Sequence, residues 1–289
     1  MKKLSDHINL RKSLLYFLEE DVGIEDVTSN NLHNSNKIFD AEIIYKSDIL
    51  GILCGIEETR TLFDICNCDL LYCKSDGMKI LPKEKIMQIR GKAKDILRAE
   101  RVALNLLMRL SGIATMTRKF VDLVNQIDPS ISIASTRKTV PGLRLLDKKA
   151  VVIGGGISHR IRLDDMVMIK DNHIIVDKSI QNIISSIRMK IGIAKIIECE
   201  VKTESEALLA IKSGANIIML DNFSLDDANE TISKIIRLGY RDKIKIEISG
   251  GINLQNVVDY AKLKPDIISI GYLTHSSPSL DFSLKIINK

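Results

Sequence analysis

Residues 195–201 read K-I-I-E-C-E-V, and runs of the same kind recur as N-I-I-M-L-D at 216–221, K-I-E-I-S-G-G at 245–251 and D-I-I-S-I-G at 266–271. Two more come earlier, I-S-I-A-S-T at 131–136 and M-V-M-I-K at 166–170. Each is short, β-branched and nearly continuously apolar, as strands are when helices cover both faces of a parallel sheet. Helical stretches lie between them and start on N-cap signatures, Thr203 with Glu206 and Ser224 with Asp227. Strands alternating with helices imply right-handed βαβ units. The endings of the six runs decide between architectures: Thr136-Arg137-Lys138, Lys170, Glu200, Asp221, Ser249-Gly250-Gly251 and Gly271. A barrel gathers its strand ends at one face, where barrel enzymes keep their chemistry. A doubly wound sheet would not bring six ends to one mouth. The expectation is an incomplete α/β barrel of six or seven strands.

Upstream the pattern differs. A helix is expected near residues 7–20, followed by strand-like runs K-I-F-D-A-E-I-I-Y-K at 37–46 and I-L-G-I-L-C-G-I at 49–56, and a turn at Asp76-Gly77. That mixture reads as a small α+β sandwich domain. From about 98 to 127 the apolar spacing is helical, with an S-G interruption at Ser111-Gly112 that predicts two helices or one broken there. The domain reading is therefore 1–110 for the α+β domain, with the C-terminal tail as a candidate addition to it, and 111–289 for the barrel.

The 289 residues carry 42 Lys and Arg against 37 Asp and Glu, a net charge of +5. No like-charge block is long enough for a nucleic-acid arm, and 4% aromatics with no Trp leave no base-stacking platform. No apolar h-region follows the basic start M-K-K-L-S-D-H, and no apolar run reaches membrane-spanning length, so neither leader nor membrane is expected. Five cysteines, at 54, 66, 68, 73 and 199, fit reduced thiols in a cytoplasm. Cys66, Cys68 and Cys73 lack the His or second pair that a zinc site needs.

Within this modest net charge, S-T-R-K-T-V-P-G-L-R-L-L-D-K-K at 135–149 and H-R-I-R at 159–162 concentrate cations. Arg137, Lys138 and Lys170 sit at strand ends, inside the mouth, and the glycine-rich loop before His159 and Arg160 can bend back over it. Arg144, Lys148 and Lys149 lie on a helical stretch and read as mostly solvated. Arginine forks and lysine ammonium groups suit carboxylates and phosphates. Ser249, Gly250, Gly251 and Gly271 allow backbone N–H groups to approach a phosphate, with helix N-terminal amides near Asn253 adding to the cradle. Glu200 and Asp221 end neighbouring strands, where they suit ribose hydroxyls or a Mg²⁺ carried by phosphates; neutralising the nearby cations is the plainer role. Cys199 points away from Glu200 and reads as core.

These segments resemble the quinolinate phosphoribosyltransferase family. The likeness is carried by D-V-G-I-E-D-V-T, A-E-R-V-A-L-N-L-L-M-R-L-S-G-I-A-T, S-T-R-K-T-V-P-G-L-R-L-L-D-K-K-A-V, G-G-G-I-S-H-R, D-D-M-V-M-I-K-D-N-H, M-L-D-N-F, I-S-G-G-I and S-I-G-Y-L-T-H-S, in order over nearly the whole chain. The resemblance implies an N-terminal sandwich on an incomplete barrel. It also implies a cytoplasmic enzyme that joins quinolinate to phosphoribosyl pyrophosphate, releasing pyrophosphate and CO₂ to give nicotinate mononucleotide for NAD synthesis. Lys138, Lys170, Glu200 and Asp221 would be catalytic, with Mg²⁺ held by Glu200 and Asp221 directly or through water or substrate. Arg137, Lys138, His159, Arg160 and Lys170 would bind the quinolinate carboxylates and phosphates, and Ser249, Gly250, Gly251, Gly271 and His275 the 5′-phosphate. Arg101 would reach the site from the neighbouring subunit of a homodimer, which could assemble further. Glu25 in place of the family's usual glycine, and Cys199 where valine is commoner, depart from the pattern without touching a proposed ligand. A same-fold relative with another acceptor and a non-catalytic phosphosugar-binding protein are the alternatives. R-K-T, H-R and I-K-D-N-H together favour quinolinate over the first, and Glu200 with Asp221 favours turnover over the second.

Overall fold

A computed structural model describes residues 10–287. In chain order they form α1 (Leu10–Val22), α2 (Val27–Asn30), β1 (Ile38–Tyr45), β2 (Gly51–Ile52), α3 (Ile56–Ile65), β3 (Asp69–Cys73), β4 (Lys79–Ile80), β5 (Lys85–Lys92) and α4 (Ala93–Asn125). There follow β6 (Ser132–Ser135), α5 (Arg144–Ile153), β7 (Val167–Ile169), α6 (Asp171–Asp177), α7 (Ile180–Ile191), β8 (Ile197–Val201), α8 (Glu204–Lys212), β9 (Ile217–Asp221) and α9 (Leu225–Arg237). The chain closes with β10 (Lys245–Ser249), α10 (Val257–Lys262), β11 (Ile267–Ile270), α11 (Tyr272–His275) and β12 (Phe282–Ile287). None of these helices is long and apolar enough to cross a membrane.

Two compact units result, and they do not divide at one point in the sequence. The first takes the chain up to Arg118, together with Leu145–Gly154 and the stretch from Ser277 onward; the second takes Lys119–Arg144 and Gly155–Ser276. In the first unit, β1 alternates so that Ala41, Ile43 and Tyr45 are buried, and an antiparallel sheet forms in the order β12-β1-β5-β3. The C-terminal strand pairs along β1, Glu42 opposite Lys285 and Tyr45 opposite Phe282. The second strand-like run is strand only over β2, which pairs with β4. The turn at Asp76-Gly77 holds: Gly77 has φ +87°, and the Asp76 carboxylate accepts the Gly55 and Ile56 N–H groups, each at 2.9 Å, at the start of α3. Of the helix expected near 7–20, the part before Leu10 lies outside the described residues.

The break expected at Ser111-Gly112 does not exist; α4 runs unbroken for 33 residues. The S-G pair serves close approach. A Cβ on Gly112 would lie 2.2 Å from the Pro278 carbonyl oxygen, so only glycine lets that backbone pass. The Ser111 hydroxyl meanwhile accepts the Cys54 N–H and donates to its carbonyl, both at 3.0 Å.

The second unit holds six parallel strands ordered β6-β11-β10-β9-β8-β7. Among the described residues the sheet has six strands, not seven, and no hydrogen bonds join β6 to β7, so the barrel is incomplete. Ile157 makes the beginning of a seventh position. It forms one parallel bridge to Ala134, with its N–H donating to the Ile133 carbonyl at 2.8 Å. The caps appear as the sequence reads them: the Thr203 hydroxyl accepts the Glu206 N–H and the Ser224 hydroxyl the Asp227 N–H. Ile218, Leu220, Ile246, Ile248, Ile268 and Ile270 are buried. Side chains alternate along a strand, so the residues between these turn to the barrel interior. That interior row is where the polar residues lie.

Candidate active site

The register aligns the interior residues in tiers. Glu200 pairs with Met219 and Met219 with Glu247; one tier nearer the mouth, Asp221 pairs with Ser249 and Ser249 with Ser269. A cavity of about 450 Å³ opens above them at the strand ends. Arg137, Lys138, His159, Arg160, Lys170, Glu200, Asp221, Ser249, Gly250 and Gly251 all border it. A slightly larger cavity, about 500 Å³, lies in the first unit against Arg11, Arg60, Asp64 and Asp69. Its charges are exposed and of both signs, so it lacks the desolvated field of the barrel mouth.

Arg137 and Arg160 give the mouth its character. Arg160 is only 8% exposed, yet among the described residues its guanidinium pairs with no carboxylate; its Nη2 lies 3.1 Å from the Met168 sulfur. The Nε atoms of both arginines are buried and without a hydrogen-bond partner. Burial lowers the Arg160 pKa, and the like charge of Arg137 lowers it further. Two desolvated guanidinium groups that repel each other are costly unless an anion completes them. Lys170 stands at the end of β7, its ammonium 2.5 Å from Glu200 Oε2.

At the strand ends, Asp221 Oδ2 accepts the Asn222 side-chain amide at 2.8 Å. Asn222 holds a left-handed backbone at φ +56°, and its N–H donates to the Ser249 carbonyl at 2.8 Å. Gly250 sits directly against it, at φ +95°, where a Cβ would lie 2.4 Å from the Asn222 side-chain oxygen. The Gly250 turn and the Asp221 carboxylate are thus built as one piece. Gly271 abuts Lys138 Cδ and the His275 ring, and the exposed His275 meets the Ser276 hydroxyl at 2.6 Å; neither borders the main cavity. The helix expected near Asn253 starts only at Val257. Asn253 instead folds a turn, its side-chain oxygen accepting the Gln255 and Asn256 N–H groups. Arg101 belongs to the first unit, where it is exposed on α4.

The solvated reading of the α5 lysines is overturned. Lys148 is fully buried. Lys149 is 14% exposed and its ammonium lies 2.8 Å from Glu58 and 3.2 Å from Asp76, with Glu57 at 3.3 Å. Burial acts to lower its pKa, but the Glu58 and Asp76 charges outweigh it and the net shift is upward. These partners lie far away in sequence, on α3 and in the turn after β3, which is why a helix read alone looked solvated. Arg144 is half-buried and donates to the Thr139 hydroxyl and the Ile161 carbonyl. Cys199 is buried as core, its thiol pushed up to about 12 by burial.

Two residues at the floor of the site escaped the sequence reading. Glu198 and Glu247 are both 0% exposed, and each places Oε2 against His159 Nε2, at 3.3 and 3.1 Å. The signal was available: Glu198 stands two residues before Glu200, and Glu247 two before Ser249, so each shares its neighbour's face. Burial acts to lower the His159 pKa, while its close contacts with Glu198 and Glu247 raise it, to about 9; burial likewise raises Glu198. A shift of that sign would protonate both ring nitrogens, which disagrees with the contact made at Nδ1. The Arg160 N–H, 2.8 Å from His159 Nδ1, requires that nitrogen bare, so the ring's proton lies on Nε2, between the carboxylates. The three groups lie close enough to hold a metal ion by spacing, and the ring would then give up its Nε2 proton to the ion.

Sequence models of the quinolinate phosphoribosyl transferase N-terminal and C-terminal domains match residues 26–111 and 113–285. The chain is 42% identical over 248 residues to a protein of Archaeoglobus fulgidus named as a probable carboxylating nicotinate-nucleotide pyrophosphorylase, covering 86% of this chain and 95% of that one. It is 34% identical over 239 residues to the human carboxylating nicotinate-nucleotide pyrophosphorylase, covering 83% and 80%. The solved structure of the nicotinate-nucleotide pyrophosphorylase from Francisella tularensis superposes with a TM-score of 0.89 at 32% identity, covering 99% of this chain and all of that one.

Proposed function

The chain belongs to the quinolinate phosphoribosyltransferase family, and from that membership we propose how its barrel mouth divides the work. The enzyme transfers phosphoribosyl from phosphoribosyl pyrophosphate to quinolinate, giving nicotinate mononucleotide, pyrophosphate and CO₂. Arg137 and Arg160, with Lys138 and Lys170, receive the quinolinate carboxylates and the pyrophosphate; His159 borders the same cavity, but its ring nitrogens are taken by Glu198, Glu247 and the Arg160 N–H, so it does not bind the anions itself. The observation that carries this is the pair of buried Nε atoms without partners. Ser249, Gly250, Gly251, Gly271 and His275 hold the 5′-phosphate, and Glu200 with Asp221 addresses the ribose.

Glu200 and Asp221 also fit Mg²⁺: hard carboxylate oxygens on adjacent strands, bordering the cavity, are the donor set that this ion takes beside substrate phosphates. Bound there, the ion would draw charge off the pyrophosphate. The ring nitrogen's lone pair forms the bond to ribose C1 as the C1–O bond to pyrophosphate breaks through an oxocarbenium-like state. Lys138 and Lys170 take up charge on the leaving oxygens. The alkylated nitrogen is then cationic and stabilises the carbanion left on the adjacent ring carbon when its carboxylate departs as CO₂; that carbon takes up a proton. No nucleophilic Ser or Cys is required. The free thiols support a reducing cytoplasm as its location.

Arg101 of the partner subunit completes the site in a two-fold dimer. Arg101→Ala and Lys170→Ala are then each nearly inactive, but a mixed dimer gathers both lesions into one site and leaves the other intact. Co-refolding the two variants should restore roughly a quarter of wild-type activity, since about half of randomly paired dimers are mixed and each has one whole site. Mixed dimers that form and stay inactive would assign Arg101 elsewhere.

A further inference from the structure

We propose that Glu198 and Glu247 are positioning residues for the acceptor: gripping the His159 ring from β8 and β10, they fix the turn from which Arg160 enters the mouth. Three observations converge on this. The His159 backbone is left-handed, at φ +50°, an uncommon conformation for a residue bearing a side chain, although histidine takes it more readily than most. The ring is held at both ends. Nε2 lies 3.1 Å from Glu247 Oε2 and 3.3 Å from Glu198 Oε2, while Nδ1 accepts the Arg160 N–H at 2.8 Å. Among the described residues the Arg160 side chain has no carboxylate partner to direct it, and its Nη2 meets the Met168 sulfur. Its aim is therefore set by the backbone at 159–160, and that backbone is set by the ring.

The arrangement answers a conflict of charge. A carboxylate bonded directly to Arg160 would orient it but quench the receptor for an anionic acceptor. Spending the two carboxylates on His159 orients Arg160 through the backbone and leaves its guanidinium open. Glu198 keeps both side-chain oxygens, and Glu247 keeps Oε1, without a hydrogen bond that meets ordinary geometry. Such incompletely satisfied buried groups are retained where they serve a site.

The inference rests on the reading of Arg160 as a carboxylate receptor, so the two are tested side by side in steady-state kinetics with each substrate varied. Glu247→Leu keeps the buried volume and removes the acceptor; the KM for quinolinate should rise about tenfold or more, with the KM for phosphoribosyl pyrophosphate within about twofold. Glu247→Gln, whose amide oxygen still accepts from Nε2–H, should recover most of the loss. In a His159→Phe background, Glu247→Leu should add less than about twofold, because both act through one contact. An unchanged quinolinate KM in Glu247→Leu, a rise in both KM values together, or full additivity with His159→Phe would overturn the positioning role. Arg160→Ala, run in parallel, separates the premise. If it leaves the quinolinate KM unchanged, the receptor reading fails; if it raises that KM while Glu247→Leu does not, only the positioning role fails.

Discussion

Lys148 and Lys149 on α5 and Arg137 and Arg160 at the barrel mouth come from two neighbouring basic stretches of sequence, and their surroundings differ in kind. In the first unit, the Lys149 ammonium is ringed by Glu58, Asp76 and Glu57, and Arg109 makes a two-pronged bond to the buried Asp147, 2.8 Å on each side. In the second unit, Arg160 is buried and Arg137 half-buried, and the Nε atoms of both are buried with no hydrogen-bond partner among the described residues. Paired cations hold α5 to its unit; unpaired ones wait for a ligand. Cation density alone cannot separate the two. What separates them is whether the fold supplies the anion or leaves that to the substrate.

That contrast can be broken from either side. The largest effect on activity is expected at the mouth. Lys170→Ala and Arg137→Ala should each lower kcat/KM by about 30- to several-thousand-fold, the range for removing one partner of a desolvated charge contact. Their melting temperatures should stay within about 3 °C of wild type, since residues at barrel strand ends serve function more than packing. A large fall in melting temperature alongside the lost activity would move these cations into the structural class.

Lys149→Ala should behave in the opposite way. It strands Glu58 in the interior, at a cost on the order of 3 kcal/mol, which lowers the melting temperature by about 6–12 °C. Activity per folded molecule should change less than about twofold. Burial raises the Glu58 pKa even with Lys149 in place, and removing the ammonium raises it further. A carboxyl whose folded pKa is raised contributes stability below its unfolded pKa and loses it as pH rises through the folded value. The variant's deficit in thermal melts should therefore be smallest near pH 4 and grow toward pH 7. A deficit that is flat with pH would remove Glu58 from the explanation. The mildest case is Arg144→Ala, which gives up only bonds to the Thr139 hydroxyl and the Ile161 carbonyl. Its loss should be about 1 kcal/mol of stability with activity within about threefold. A loss as severe as that of Arg137→Ala would show the cations had been divided wrongly.

Local order was open to reading; long-range pairing was not. The β-branched runs, the Thr203 and Ser224 caps and the polar strand endings all act within a few residues, so the barrel, Glu200, Asp221 and the glycine turn could be read directly. Glu198 and Glu247 could have been found from strand alternation, but each sits beside a residue that already drew attention. Lys149 could not, because its partner Glu58 is 91 positions away and α5 does not show which face another segment will cover. Gly112 misled for the same reason. A glycine in a helix can mark a break or a close approach, and only the Pro278 backbone decides between them.

The most direct measurement is the ratio of kcat/KM for quinolinate to that for nicotinate, with phosphoribosyl pyrophosphate and Mg²⁺ held saturating. Nicotinate lacks the second carboxylate, so binding it leaves a buried guanidinium uncompensated. Two receptors waiting for two carboxylates predict a preference for quinolinate of about 30- to several-thousand-fold. Equal kcat/KM for the two acids would mean that Arg137 and Arg160 are not the acceptor's receptors, and would contradict the division between paired and waiting cations.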